Sequence, residues 1–276
     1  MIFQEPKYRA LGDCYLSVEF ADTVHLSANF RIQAICDALS ENKLPGVVEI
    51  VSHLRNLAVV FDRTMTSFDK VLDYTKEAVA GVEVPTSLES RLFRIPVWYD
   101  DPWSLATAQK FEVENNLEFV AKANGVTKEE AIARHSGTDF WIAATGFVPG
   151  CFWAIPLDFE LVLSAPKYHV PRDFTPARTL GMAGLSTCIY PYAGPGGYQC
   201  IGRTAIEIFE RNPASGLFHE SGALVRQGDR HRYYAVDAFE YEEIRNRVEA
   251  GTYKYEVTQE PVDLAQYHTE REDAAA

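Results

Sequence analysis

The chain has 276 residues, 47% hydrophobic and 24% charged, which are ordinary globular values with room for one large domain or two smaller ones. Its formal net charge of −13, from 39 acidic and 26 basic residues, speaks against a nucleic-acid binder, which needs a basic face. Five cysteines, an odd number with no C-x-x-C pair, match neither a zinc-site spacing nor a disulfide framework, so reduced and buried thiols are expected.

The opening residues, MIFQEPKYRALGDC, lack a basic stretch followed by an apolar one, and no run approaches the roughly 18 apolar residues of a membrane span. A cytoplasmic protein without membrane attachment is expected. Residues 14–20, CYLSVEF, alternate loosely and suit a strand. From Ser27 to Glu41, the spacing of Phe30, Ile32, Ile35, Cys36 and Leu39 predicts an amphipathic helix, ended by Pro45-Gly46. Strands follow at Val47 to Val51 and Leu57 to Phe61, then a helix from Ser67 to Ala80 and a strand from Arg91 to Trp98. This βαββαβ order is that of a ferredoxin-like unit, provided its four strands share a sheet, and it sets an expected first domain at 1–99.

Tyr99-Asp100-Asp101-Pro102 marks the seam to a second domain, 100–276. Residues 104–123 are helical in composition, and Thr127-x-x-Glu130 is a capping box for a further helix reaching about Arg134. From Phe140 onward, short apolar runs separated by Pro, Gly or Asp indicate a β-barrel or sandwich. Gly228-Asp229 reads as a turn between two strand-like runs within 223–236, followed by a helix from Ala238 to Gly251. The last ten residues, including EDAAA, are expected to fray. The fold class is therefore α+β, with a mixed unit followed by a largely β domain.

No histidine pair has H-E-x-x-H or H-x-H spacing, so no metal site is expected. His135 stands where it could satisfy the carbonyls at a helix end. A serine nucleophile would need G-x-S-x-G, and Ser186 in GLSTC lacks the flanking glycines. Gly194 to Thr204, GPGGYQCIGRT, crowds three glycines and a proline ahead of an apolar run. It is not a dinucleotide fingerprint, because Gln199 stands where the third glycine belongs, nor a phosphate loop, because no Lys-Ser or Lys-Thr follows. Both a structural turn and a binding loop stay open. Cys188 and Cys200, on either side of its glycines, read as buried structural thiols. Lys167, Tyr168, Arg172, Arg178, Tyr190, Tyr198, Gln199 and Arg203 form a set of polar residues at the edges of apolar runs. Arg178 and Arg203 could clamp a planar anion or pair with surface acids, and spacing does not choose.

GDCYLSVEF, ARTLGMAGLSTCIYPYAGPGGYQCIGRT and RQGDRHRYYAVDAFEYEEI, in that order, resemble the KipI-like family, also called allophanate hydrolase subunit 1. Within it, KLPGVVEIV, IPVWYDDP, Lys167-Tyr168, GPGGYQ…GRT and the tail GTYKYEVTQEPVDLAQY are most similar to the carboxyltransferase part of urea carboxylase. The resemblance implies a cyclophilin-like β-barrel after the ferredoxin-like unit. It also implies half of a split carboxyltransferase, inactive without a KipA-like (allophanate hydrolase subunit 2-like) partner and served by a biotin carboxylase and a biotin-carrier protein. Biotin, borne on a separate domain or chain, would deliver CO2 to urea or a related amide, amidine or lactam, with no metal at this site. The implied catalytic residues are Lys167, Arg178, Arg203 and Gln199. Phe147, Pro149, Tyr168, Tyr190, Gly196, Gly197 and Tyr198 would line the substrate and biotin site.

The segment TGFVPGCFW, Thr145 to Trp153, resembles the 5-oxoprolinase and KipI side of the family instead, with Phe147 where urea carboxylases carry an acidic residue. An apolar wall there favours a larger or less polar acceptor than urea. The alternatives that this leaves are a subunit of an ATP-dependent, biotin-independent 5-oxoprolinase and a KipI-like protein that binds and inhibits a sensor kinase.

Overall fold

In the computed structural model, which describes residues 1–83, 85–213 and 216–267, two units form around separate cores: Met1–Glu89 with the segment from Pro261, and Ser90–Glu260. The first unit is built on β1 (Ile2–Leu11), β2 (Tyr15–Ala21), β3 (Val47–Ser52) and β4 (Asn56–Phe61), all antiparallel in the order β1-β2-β4-β3. Alternation in β2 and β4 turns Leu16, Val18, Phe20, Leu57, Val59 and Phe61 to one buried face. There they meet Ile32, Ile35 and Leu39 of α1 (Leu26–Glu41) and Val71 and Val79 of α2 (Phe68–Gly81).

One strand of the expected ferredoxin-like sheet must be corrected. Arg91 to Trp98 lies within β5 (Ser87–Tyr99), which belongs to the other sheet, and the place beside β2 is taken by β1. Gly12, at φ +62°, turns the chain so that Leu11 pairs with Tyr15, and so short a hairpin closes at less entropic cost than a return from residue 91. β1 is silent in the sequence because none of IFQEPKYRAL is fully buried, so no apolar alternation marks it.

The second unit is mixed α and β around a closed seven-stranded barrel. Its strands are β5, β6 (Asp139–Thr145), β7 (Phe152–Pro156), β9 (Thr179–Ala183), β10 (Ser186–Ile189), β12 (Gln199–Thr204) and β13 (Arg230–Ala235), in the order β12-β9-β10-β7-β6-β13-β5. The pairing of β12 with β5 closes the ring, and β14 (Val257–Asp263) adds outside β5. β8 (Arg172–Thr175) and β11 (Gly194–Gly196) form a separate two-stranded ribbon.

Residues 104–123, expected as one helical stretch, are two helices, α3 (Pro102–Lys110) and α4 (Asn116–Ala123). Glu112 at φ +53° breaks the run, and the Asn115 side chain restarts it by accepting from the Glu118 N–H at 3.0 Å. Asp101 of the seam caps α3, accepting from the Trp103 and Ser104 N–H groups at 3.0 Å each, with Pro102 at the first helical position. Thr127 caps α5 (Lys128–Gly137) as expected, but the Glu130 carboxylate turns to Arg134, so only half of the capping box forms. Asp237 starts α6 (Ala238–Glu249) with a complete capping box. The fraying expected of the last ten residues lies outside the described residues beyond 267. Among the described residues, no helix is long and apolar enough to cross a membrane.

The barrel is filled by Phe93, Ile95 and Val97 of β5, Phe140 and Ile142 of β6, Phe152, Leu180, Ile189, Ile201 and Tyr233. His135 corrects its expected role. Its ring leaves the helix end and enters this core, with Nδ1 2.8 Å from the Tyr99 hydroxyl and the ring stacked on Tyr233 at 4.8 Å. His231, 0% exposed, lies against Phe140 and Tyr233. Burial holds both imidazoles neutral and pushes each down to about 3, with His135 adding to the effect at His231.

The unfolded chain therefore binds protons near pH 6.5 that the folded chain refuses until about pH 3, and stability falls as pH drops through that window. Each histidine is expected to contribute about 1.4 kcal/mol per pH unit to the slope. Urea unfolding between pH 7 and 4 should show His231→Phe losing one such share, and an unchanged slope would contradict the neutral buried ring.

Candidate functional site

The glycine stretch is shaped by close approach. A Cβ at Gly196 would come 2.2 Å from the Tyr190 hydroxyl, so a side chain there would displace the ring. Tyr190 and Tyr198 pack with Cys151, Ala183 and Cys188 in a small buried cluster, and Val148 and Trp153 lie against it. Val148 anchors the turn that presents Phe147, 62% exposed at φ +67°, and Pro149.

Three hydrogen-bond sets tie the Lys167-Tyr168 segment to this loop. The Tyr168 N–H donates to the Gly197 carbonyl at 2.8 Å, and Gln199 Nε2 donates to the Pro166 carbonyl at 2.8 Å. The third set belongs to Asn116, whose Oδ1 accepts from the Tyr168 hydroxyl at 2.7 Å and from the Cys200 N–H at 2.6 Å. Asn116 was not legible as a site residue, because a lone asparagine at a helix start usually serves only the helix. Arg172 lies beneath, its Nη1 donating to the Tyr198 carbonyl at 2.8 Å and its guanidinium 4.2 Å from the Tyr168 ring centre. Lys167 reaches over the Tyr198 ring at 5.4 Å.

These contacts form one side of an open cleft of about 980 Å³. Phe111, Val113, Phe119 and Val170 give it apolar walls, while Lys167, Tyr168 and Gln199 give it polar groups. Lys167, Tyr168, Tyr190, Gly196, Gly197, Tyr198 and Gln199 are thus gathered at the loop, and the Phe147 turn abuts the same tyrosine cluster.

The two arginine heads gather elsewhere. Arg203 stands four residues along β12 from Gln199, about 13 Å of strand, and its guanidinium lies 4.4 Å from the Trp103 ring centre, with Nε donating to the Tyr241 hydroxyl at 3.1 Å. Arg178, at φ +65°, shares the Glu207 carboxylate with Arg245, at 3.5 and 2.7 Å. Burial, with the neighbouring Arg245 and Arg203 charges, lowers the Arg178 pKa against the pull of Tyr241 and Glu207.

Burial pushes the Cys200 thiol and the Tyr198 phenol up to about 12, and the hydrogen bond with Cys151, ahead of burial, raises Cys188. The same hydrogen bond lowers Cys151 against its own burial. Cys188, Cys200 and Tyr198 stay protonated at neutral pH. Ser186 Oγ meets the Ala183 carbonyl at 3.0 Å and the Tyr198 hydroxyl at 3.1 Å, neither of which is a general base. The arrangement can bind, orient and stabilise negative charge, and among the described residues no nucleophile-and-base pair of a covalent hydrolase is formed at it. Among the described residues, no three His, Cys, Asp or Glu side chains gather as metal ligands.

Residues 6–217 match the family model described as carboxyltransferase domain, subdomain C and D. The chain is 27% identical over 274 residues to the urea amidolyase of Saccharomyces cerevisiae, covering 94% of this chain and 15% of that protein. It is also 27% identical over 243 residues to a 5-oxoprolinase subunit of Bacillus subtilis, covering 84% of this chain and 93% of that protein. In fold, it resembles the crystal structure of Kluyveromyces lactis urea carboxylase, with a TM-score of 0.85 at 22% identity over 97% of this chain and 25% of that one. The chain thus spans a small fraction of the urea amidolyase and nearly the whole of the 5-oxoprolinase subunit.

Asn116→Ala would leave the Cys200 N–H and the Tyr168 hydroxyl without their acceptor, at an expected cost of about 1–3 kcal/mol. Asn116→Asp keeps that oxygen but loses the Nδ2 donation to the Glu114 carbonyl at 3.0 Å and buries a charge, so it should recover only part of the loss. Urea denaturation, with hydrogen exchange followed across residues 196–200, measures both; equal stability of the alanine and wild-type chains would refute the bridge.

Proposed function

The chain belongs to the carboxyltransferase-domain family, subdomains C and D, and we propose that it is one half of a split carboxyltransferase completed by an allophanate hydrolase subunit 2-like chain. The observation that carries this reading is the family match over residues 6–217, which takes in every segment lining the cleft. Biotin, borne by a separate carrier and loaded by a biotin carboxylase, would supply CO2 for transfer to a small amide, amidine or lactam. We read the barrel as cyclophilin-like.

The residues present fit such a ligand set. Phe111, Val113 and Phe119 offer apolar walls to a flat ring, and Gln199 and Tyr168 offer polar atoms beside them. Carboxyl transfer needs positioning and a favourable field for developing negative charge, not a phosphate loop. In this reading, Lys167 supplies the exposed cation and Gln199 orients the acceptor. Gly196, Gly197, Tyr190 and Tyr198 fix the shape of the loop, and Phe147 and Pro149 form an apolar rim. Arg178 and Arg203 act from the second cluster, with Arg203 holding α3 and α6 against β12. The partner chain would complete the site.

A second reading, a subunit of an ATP-dependent and biotin-independent 5-oxoprolinase, is favoured by the 93% coverage of the Bacillus subtilis protein and by the GFVPG turn. Pull-down of the chain from its native host, probed for biotinylated proteins, separates the two: the first reading expects a biotinylated chain to be recovered, and its absence rejects that reading. In the assembled complex, Lys167→Ala and Gln199→Ala are each expected to lower carboxyl transfer about 10²-fold. Full activity in both variants would remove the cleft from the reaction.

A further inference from the structure

Two of the five cysteines meet on the outside of the barrel. Cys151 ends the turn of residues 145–150 and leads into β7, and Cys188 belongs to β10. These strands are antiparallel neighbours with Ala154 opposite Thr187. Continuing that register sets Cys188 beside Trp153, with Cys151 two residues back along the chain. Phe152 and Ile189 turn into the barrel core, and Thr187 meets the Tyr233 hydroxyl there at 3.1 Å. Alternation therefore puts Cys151, Trp153, Cys188 and Tyr190 on the outer face, where they pack together with Tyr198. On that face the two thiols share a hydrogen bond, the Cys188 S–H donating to Cys151 Sγ.

Neighbouring strands restrict the choice of partner. Gly181 of β9 pairs with Cys188 on one side and with Cys200 on the other, so those two cysteines stand two strand spacings apart, about 9–10 Å. A disulfide needs Cα atoms within about 7 Å. Cys14 and Cys36 belong to the first unit. Cys151 and Cys188 are each only 4% exposed, but they lie just beneath the surface: Phe147 and Pro149 of the preceding turn are exposed, and Val148 and Trp153, which lie against the thiol cluster, are half-buried. A molecule the size of water has little to displace. The shared hydrogen bond also separates the two thiols chemically, because it favours the thiolate at Cys151 and the thiol at Cys188. Cys151 is thus suited to attack and Cys188 to resolve.

We propose that Cys151 and Cys188 form a reversible disulfide when the protein meets hydrogen peroxide. Cys151 Sγ, after giving up its proton, attacks one peroxide oxygen. The S–O bond forms as the O–O bond breaks, and the departing hydroxide takes up the released proton to leave as water. Cys188 Sγ then attacks the Cys151 sulfur, so that the S–S bond forms, the S–O bond breaks and a second water carries away the Cys188 proton. Two thiols lose two electrons, and the peroxide gains them. A dithiol reductant reverses the change by exchange. The bond ties the Phe147 turn to β10 two residues before Tyr190, whose ring occupies the space beside Gly196. This modification does not depend on which reaction the cleft serves.

Treating the folded full chain with peroxide, alkylating it in denaturant and mapping its peptides without reductant tests the proposal. Two of the five thiols should be lost to alkylation, with residues 151 and 188 joined in one cross-linked peptide pair that dithiothreitol separates. Cys188→Ser should stop at a Cys151 sulfenic acid that dimedone captures, whereas Cys200→Ser should form the bond as the wild-type chain does. Recovery of Cys151 and Cys188 as free thiols, a bond joining any other pair, or Cys151 oxidised to a sulfinic acid with Cys188 still free overturns the proposal. If Cys188→Ser fails to fold, mapping of the wild-type and Cys200→Ser chains still decides it.

Discussion

Closure of the barrel between β12 and β5 is the constraint on which the rest of the second unit depends. Gly202 sits opposite Tyr99 at that seam, and a Cβ there would lie 2.8 Å from Val97 Cγ1 and 2.9 Å from the Trp98 carbonyl oxygen. Only a bare backbone lets the two strands meet at this distance. Once they meet, β12 delivers Gln199 to the cleft at its start and Arg203 to α3 and α6 near its end. The glycines of the motif thus do two jobs: Gly196 makes room for a tyrosine ring, and Gly202 makes room for a neighbouring strand.

The interior and the cleft handle polarity in opposite ways. Inside the barrel, His135, His231 and Tyr99 are kept neutral by burial. Beside the cleft, the buried Arg172 guanidinium is surrounded by the Tyr198 carbonyl and the Thr175 hydroxyl.

Much of this was legible in the sequence. The periodicity of 27–41 and 67–80 gave two helices whose apolar stripes are the buried ones, and the short runs after Phe140 gave strands of either a barrel or a sandwich, of which the barrel is the one formed. β1 could not be read because it carries no apolar face, and the sheet assignment of β5 could not be read because alternation says which face is buried and not which neighbour covers it. In the cleft, the residues with recognisable motif neighbours, Lys167, Tyr168 and Gln199, stood out, whereas Asn116 acts through contacts to positions 168 and 200 that no local spacing encodes. His135 misled for a related reason: its place at the end of a helix suggested a cap, and the aromatic lining that claims its ring comes from strands on either side of it in sequence.

The pairing of β5 also orders events in time. It is the first barrel strand to be synthesised, yet Tyr99 pairs with Gly202, and Leu92 pairs in parallel with Arg230. Both of its barrel neighbours arrive from far along the chain, so the ring closes late and slowly, as non-local pairing requires. The hairpins of the first unit, Leu11 with Tyr15 and Ser52 with Leu57, can form from local sequence long before. During synthesis, β5 therefore waits with an open edge and a half-apolar face, and this stretch is where the nascent chain is most exposed to mispairing.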